Sequence, residues 1–189
     1  MTIQLTSGNN TSLTANHPGL QRVQVGLGWN FPEGSEPFDL DASALLVQSN
    51  GQVRSDNDFV FYNNAEDIDM SVRYGGDSLN GIASGDDEVI VIELNRVPVE
   101  ISKVVLCATI HEAVGRDFSN VNGAYIRLLN LENSEEIARF DLQENFLGMT
   151  AMLFGEVYRH NAAWKFRALG MGLEGGLRAL VSSFGVNVD

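Results

Sequence analysis

Along most of the chain, apolar and polar residues alternate over short runs bounded by Gly, Asn, Asp and Pro, which is the pattern of half-buried strands. The runs rich in β-branched and aromatic residues are 22–29 (RVQVGLGW), 39–48 (DLDASALLVQ), 58–62 (DFVFY), 88–94 (EVIVIEL), 103–112, 124–130, 136–142, 151–160 and 164–170. Turn chemistry separates them, as in SNGQ at 49–52 and RHNAA at 159–163. This regular spacing predicts an all-β fold, an antiparallel β-sandwich. The stretch 175–186 departs from it, because Leu177, Leu180, Val181 and Phe184 recur at helical spacing and predict one short C-terminal helix.

At 189 residues and 44% hydrophobic content, the chain can bury a real core, and its length fits a single domain over 1–189. No period of repeat length is present. The formal net charge of −13 argues against nucleic acid, whose binders present a basic face to displace counterions. No basic-plus-apolar leader and no apolar run of membrane-spanning length is found, so the expected location is the cytoplasm. A lone Cys107 agrees with a reducing compartment.

The charge is uneven. More than half the carboxylates lie between residues 33 and 100, against Arg54, Arg73 and Arg96, and Asp86, Asp87 and Glu88 stand in a row before an apolar strand. Two unit charges about 4 Å apart repel by roughly 1 kcal/mol in water and about 4 kcal/mol at an effective dielectric of 20. A converging cluster of this kind calls for a hard cation. Oxygen-only ligands select Ca²⁺ or Mg²⁺, and irregular loops with backbone carbonyls suit Ca²⁺. Four segments supply such ligands: FDLDAS (38–43), SDNDFVFYNN (55–64), GGDSLNG (75–81) and SGDDE (84–88). Loops at one end of a sandwich converge, so these four can build one acidic bowl. Alternation puts Asp39 and Asp41 on one strand face, and likewise Asp56 and Asp58. An EF-hand is excluded, because the loop starting at Asp39 has Ala44 in place of the turning glycine and Asn50 in place of the bidentate glutamate.

The ordered motifs VGLGWNFPEG, FDLDASALL, DNDFVFYNN, GGDSLNG, GDDEVIVIEL and FGEVYRHNAAWKFRALG resemble the tellurium-resistance TerD family of stress proteins nearly end to end. The resemblance implies a β-sandwich that binds two neighbouring Ca²⁺ ions in its acidic loops. It also implies proteins linked to resistance to tellurite, oxidants and phage through complexes with other stress proteins at the inner membrane face, without enzymatic activity. Carried onto this chain, the implied metal ligands are Asp39 and Asp41, then Asp58, Asn63 and Asn64, then Asp77, then Asp86, Asp87 and Glu88. The chain departs from the family pattern at Asn30, Ser78, Ser119 and Gly123.

Beside this reading stand a calcium-dependent module for a small ligand such as a sugar or nucleotide, and an enzyme using paired carboxylates, for which no nucleophile elbow, phosphate loop or zinc-protease motif is present. Individual acids have simpler roles open to them as turn formers. Cys107 with His111 on the same strand face could suggest thiol chemistry, but a lone Cys in VVLCATI reads first as a small buried hydrophobe. Trp29, Trp164 and Phe166 read as core anchors, and Tyr158, Arg159 and His160 as turn-flanking structural residues.

Overall fold

The alternating runs pair into two packed sheets in the computed structural model, which describes residues 2–36, 38–76, 85–143 and 146–188. In chain order the strands are β1 (Ile3–Leu5), β2 (Asn10–Ser12), β3 (Arg22–Asn30), β4 (Leu40–Gln48), β5 (Phe59–Val60), β6 (Val72–Gly76), β7 (Glu88–Glu93), β8 (Ile101–Ile110), β9 (Asn122–Asn130), β10 (Glu135–Asp141), β11 (Ala151–His160) and β12 (Ala163–Leu173), followed by helix α1 (Gly176–Ser183). One sheet runs β1-β10-β9-β3-β7-β6 and the other β2-β12-β11-β8-β4-β5. All pairings are antiparallel except β1 with β10.

The core fills the space between the sheets. Val23, Val25 and Leu27 of β3, Ile90 and Ile92 of β7, and Ile126 and Leu128 of β9 face Leu40, Ala42, Ala44 and Leu46 of β4, with Leu106, Phe154 and Phe166 beside them. A second apolar layer covers part of the outer face of the second sheet. Here Leu45 and Val47 of β4 and Val105 and Cys107 of β8 pack under Leu180 and Val181 of α1. This double cover explains why β4 and β8 read as almost continuous apolar runs, since both of their faces are buried. Trp164 and Phe166 belong to the core and Trp29 packs against it.

The structure adds three strands to the sequence reading. β1 and β2 are three residues each, too short to show a period, and β6 ends in two glycines that mask its strand character. It also shortens one. Asp56–Asp58 form a 3₁₀ turn, so strand alternation does not govern Asp56 and Asp58, and β5 keeps Phe59 and Val60 alone.

Candidate metal centre

Asp39 and Asp41 enter from the start of β4, Glu88 from the start of β7. Continued pairing beyond β8 brings His111 beside them, its backbone N–H donating to the Asp39 carbonyl at 3.0 Å. These four, with Tyr62 and Tyr74, line a cleft of about 340 Å³ to which both sheets contribute. Glu88 is buried, Asp41 half-buried and Asp39 exposed. His111 Nδ1 lies 3.3 Å from Asp41 Oδ2. Partial burial raises the Asp41 pKa above the ordinary carboxylate range, the charge of Asp39 raises it further, and His111 opposes both. The sequence reading had found Asp39, Asp41 and Glu88 but not His111, Tyr62 or Tyr74 as wall residues. The signal for His111 was the β4–β8 register, which no local pattern reveals.

The other predicted ligands lie elsewhere. Asp86 folds over the outer face of the first sheet, where Arg127 Nε donates to its Oδ1 at 2.7 Å and the Tyr125 hydroxyl lies 2.9 Å from the same oxygen. Asp87 is exposed and accepts the Trp29 N–H on Oδ2 at 2.8 Å. The acidic triple therefore splits three ways. Asp86 pairs with an arginine, Asp87 ties β3 to the loop, and Glu88 faces the cleft.

Asp58 is wholly buried and held by Arg54 through a fork, Nη2 to Oδ1 at 2.6 Å and Nε to Oδ2 at 2.9 Å, while Arg54 also reaches Asp69 at 2.7 Å. Asn64 spends its amide N–H on the Phe59 carbonyl at 2.7 Å, closing the turn after β5, and Asn63 is exposed. Asp77 lies outside the described residues, on the connection between β6 and β7. Asp67, which the sequence reading passed over, is the buried hub of the 65–72 loop, accepting from Ser71 N at 2.7 Å and Asp69 N at 3.0 Å. Among the described residues, no group of three or more His, Cys, Asp or Glu is drawn close enough together to hold a metal ion.

Cys107 is fully buried beneath α1, and burial alone pushes its thiol far above the ordinary range, which disfavours the thiolate that thiol chemistry needs. Two departures from the family pattern prove to be neighbours. Asn30 pairs with Asn122 across β3 and β9, and Gly123, at φ +58°, faces the Asn30 side chain.

Two six-stranded sheets closed by one short helix, with an acidic cleft to which both sheets contribute, define the chain as an all-β sandwich protein. The TerD domain matches residues 1–184, and the chain belongs to that family. It is 48% identical to tellurium resistance protein TerD of Alcaligenes sp, over the full length of both chains. It is 44% identical to general stress protein 16U of Bacillus subtilis, again over the full length of both. Among solved structures, a homologue of telluride resistance protein (TerD) from Streptomyces coelicolor superposes with a TM-score of 0.64 at 23% identity, covering 86% of this chain and 96% of that one, which supports the fold alone. The chain is thus a tellurium-resistance and general-stress family member. These two relatives carry a resistance name and a stress name.

Proposed function

We propose that this protein is a calcium-binding stress protein that works through contacts made by its Ca²⁺-ordered acidic segments and not by catalysis. The observation that supports the reading is the meeting of Asp39, Asp41 and Glu88, from different sheets, around one cleft. Their donors are carboxylate oxygens, the chemistry a hard divalent cation takes. The raised proton affinity of Asp41 reflects burial and its proximity to Asp39, and a bound cation relieves the same strain. Asp39, Asp41 and Glu88 line the cleft but do not stand close enough to close on an ion, so they would have to draw together to hold the first one, and the sequence places Asp77 on the connection that follows β6. A second ion would draw on the exposed Asp87 and Asn63. Asp58 and Asp86 enter this proposal only as supports, because each is ion-paired to an arginine, and so does Asn64, whose amide closes the turn after β5.

The loaded surface would be read by other tellurium-resistance and stress proteins in the cytoplasm, in a complex at the inner membrane face. Among the described residues no helix is long and apolar enough to cross a membrane, so such an association would be peripheral. The cleft volume of about 340 Å³ and its two tyrosines favour one alternative, a Ca²⁺-dependent site for a small sugar or nucleotide.

Calcium titration of chelator-treated protein, followed by melting temperature, tests the proposal. Ion binding to the native state adds about 2.7 kcal/mol at a hundredfold excess over Kd. The upward shift should shrink in Asp41→Asn and in Glu88→Gln. An unchanged melting temperature at millimolar Ca²⁺ rejects the reading.

A further inference from the structure

In a chain of net charge −13, the outer face of the second sheet carries a group of cations that outnumber the carboxylate among them. Cross-strand register sets Lys103 (β8), Tyr158 (β11) and Lys165 (β12) in one row, and Glu156 opposite Arg167 in the next. Helix α1 and the apolar layer beneath it, Val47 and Val105 included, cover the rest of this face. Glu156 is nearly buried and takes Lys103 Nζ at 2.9 Å and Arg167 Nη1 at 3.3 Å, so one carboxylate serves two cations. Arg159, from the other face of β11, adds a third cation at the rim, with no carboxylate partner among the described residues. It donates to the backbone carbonyls of Ile101 at 3.1 Å and Val97 at 2.8 Å and lies 4.2 Å from the Trp164 ring centre, which fixes the guanidinium in place. Lys165 forms no ion pair among the described residues. A depression of about 270 Å³ lies among Lys103, Arg159, Arg167, Tyr158 and Ser102.

We propose that this depression is an oxyanion site that takes a phosphate-type dianion, either free or as the phosphate of a small monoester. Lys103, Arg159 and Arg167 against Glu156 leave a local surplus of two positive charges around the depression. Guanidinium and ammonium groups give the strong charge-assisted bonds such oxygens accept, and the Tyr158 and Ser102 hydroxyls stand at the wall. Arg167 stacks on Tyr158, 4.8 Å from its ring centre, which holds its fork over the depression. The ligand is small because of the protein's overall field. A polyanion feels the whole −13, whereas a small dianion in the depression feels mainly charges within about 8 Å at physiological salt. This site is separate from the acidic cleft and does not depend on calcium.

The test is an NMR titration of the folded protein in chelator-containing buffer, with inorganic phosphate and with adenosine monophosphate as separate arms. Saturable shifts confined to β8, β11 and β12 are expected in at least one arm, and tighter binding of the nucleotide would identify a monoester source. Arg167→Gln should weaken binding about tenfold, the size of one charge-assisted hydrogen bond. Lys165→Gln, which breaks no ion pair, should weaken it about threefold by loss of nearby charge. Glu156→Gln carries the opposite sign and should tighten binding about threefold, because the competing carboxylate is gone. Arg22→Gln, remote and paired to Glu132, should change nothing. Absence of saturation in both arms overturns the site, as does equal affinity in wild type, Arg167→Gln and Glu156→Gln.

Discussion

The Asp86 carboxylate lies directly against the α-carbon of Gly26, so a side chain at 26 has no room unless Asp86 moves. Asp86 is not free to move. Its side chain is fully covered and clamped by Arg127 and Tyr125, and Gly28, two residues on and on the same face, makes the same allowance for the Tyr125 ring. Two glycines of β3 thus form a floor for a buried ion pair, which gives the GLG of the VGLGW motif a packing reason.

Gly26→Ala should destabilise the protein by about 3 kcal/mol, because displacing Asp86 breaks the fully covered one of Arg127's two ion pairs and leaves Arg127 only the more exposed Glu136. Asp86→Ala should lose a similar amount. Denaturant unfolding with and without calcium separates this role from metal binding. If Asp86 is a partner of Arg127 and not an ion ligand, the loss is the same in both conditions and the calcium-induced stabilisation keeps its size. A collapse of that stabilisation in Asp86→Ala would return the residue to the metal centre.

Asp58 and Asp69 share Arg54, but burial ranks them. The Asp58 side chain is 1% exposed and forked onto the guanidinium, whereas that of Asp69 is 36% exposed. Breaking the buried pair by Asp58→Ala should cost about 3 to 5 kcal/mol. Asp69→Ala should cost less than about 1 kcal/mol, as screened pairs do. Thermal melts of the two variants check the order. Equal losses would mean that the fork on Asp58 does not hold the 3₁₀ turn.

The strands of the fold, though not their order in the sheets, were legible where the chain alternates over long runs. The limits of β11 agree with the sequence reading residue for residue, and β3 and β7 to within one at an end. Short strands were not, since β1 and β2 draw their stability from partners far away in the chain and carry no local period. The acidic site was legible as composition and not as geometry. Asp39, Asp41 and Glu88 share a cleft because of sheet pairing, while Asp58 and Asp86 are captured by Arg54 and Arg127, and the identity of an arginine's partner is a tertiary fact. The motif YRHNAAWKFRALG was read as a turn with core anchors. That holds for Trp164 and Phe166, but the outward residues of the same strands form the cationic rows.

Tyr125 supplies an alkaline signature. Burial, then its hydrogen bond to Asp86 and the charge of Asp86, push its phenol up to about 12. A raised folded pKa means stability that is complete below the unfolded value near 10 and is lost as pH rises through about 12. Ultraviolet titration of wild type minus Tyr125→Phe should therefore show one phenol ionising close to 12. A missing phenol that ionises near 10 would show that the hydroxyl is not held by Asp86.

Asp117 supplies the acid counterpart and tests how two loops are joined. Its Oδ1 accepts the Ser119 N–H at 2.8 Å and the Ser119 hydroxyl at 2.5 Å, and its Oδ2 accepts the Gly148 N–H at 2.8 Å, so one carboxylate caps the 3₁₀ turn at Phe118–Asn120 and ties it to the loop before β11. These bonds hold its pKa below the ordinary carboxylate value, the Ser119 hydroxyl contributing most. A depressed folded pKa gives stability that is present above the unfolded value of about 3.9 and disappears as pH falls through the folded value. Asp117→Ala should cost about 1 kcal/mol at neutral pH, the usual worth of an N-cap. Measured by denaturant unfolding, that gap should stay constant down to about pH 4 and close below it. A gap that persists unchanged in strong acid would mean that the variant loses packing and not the charged cap.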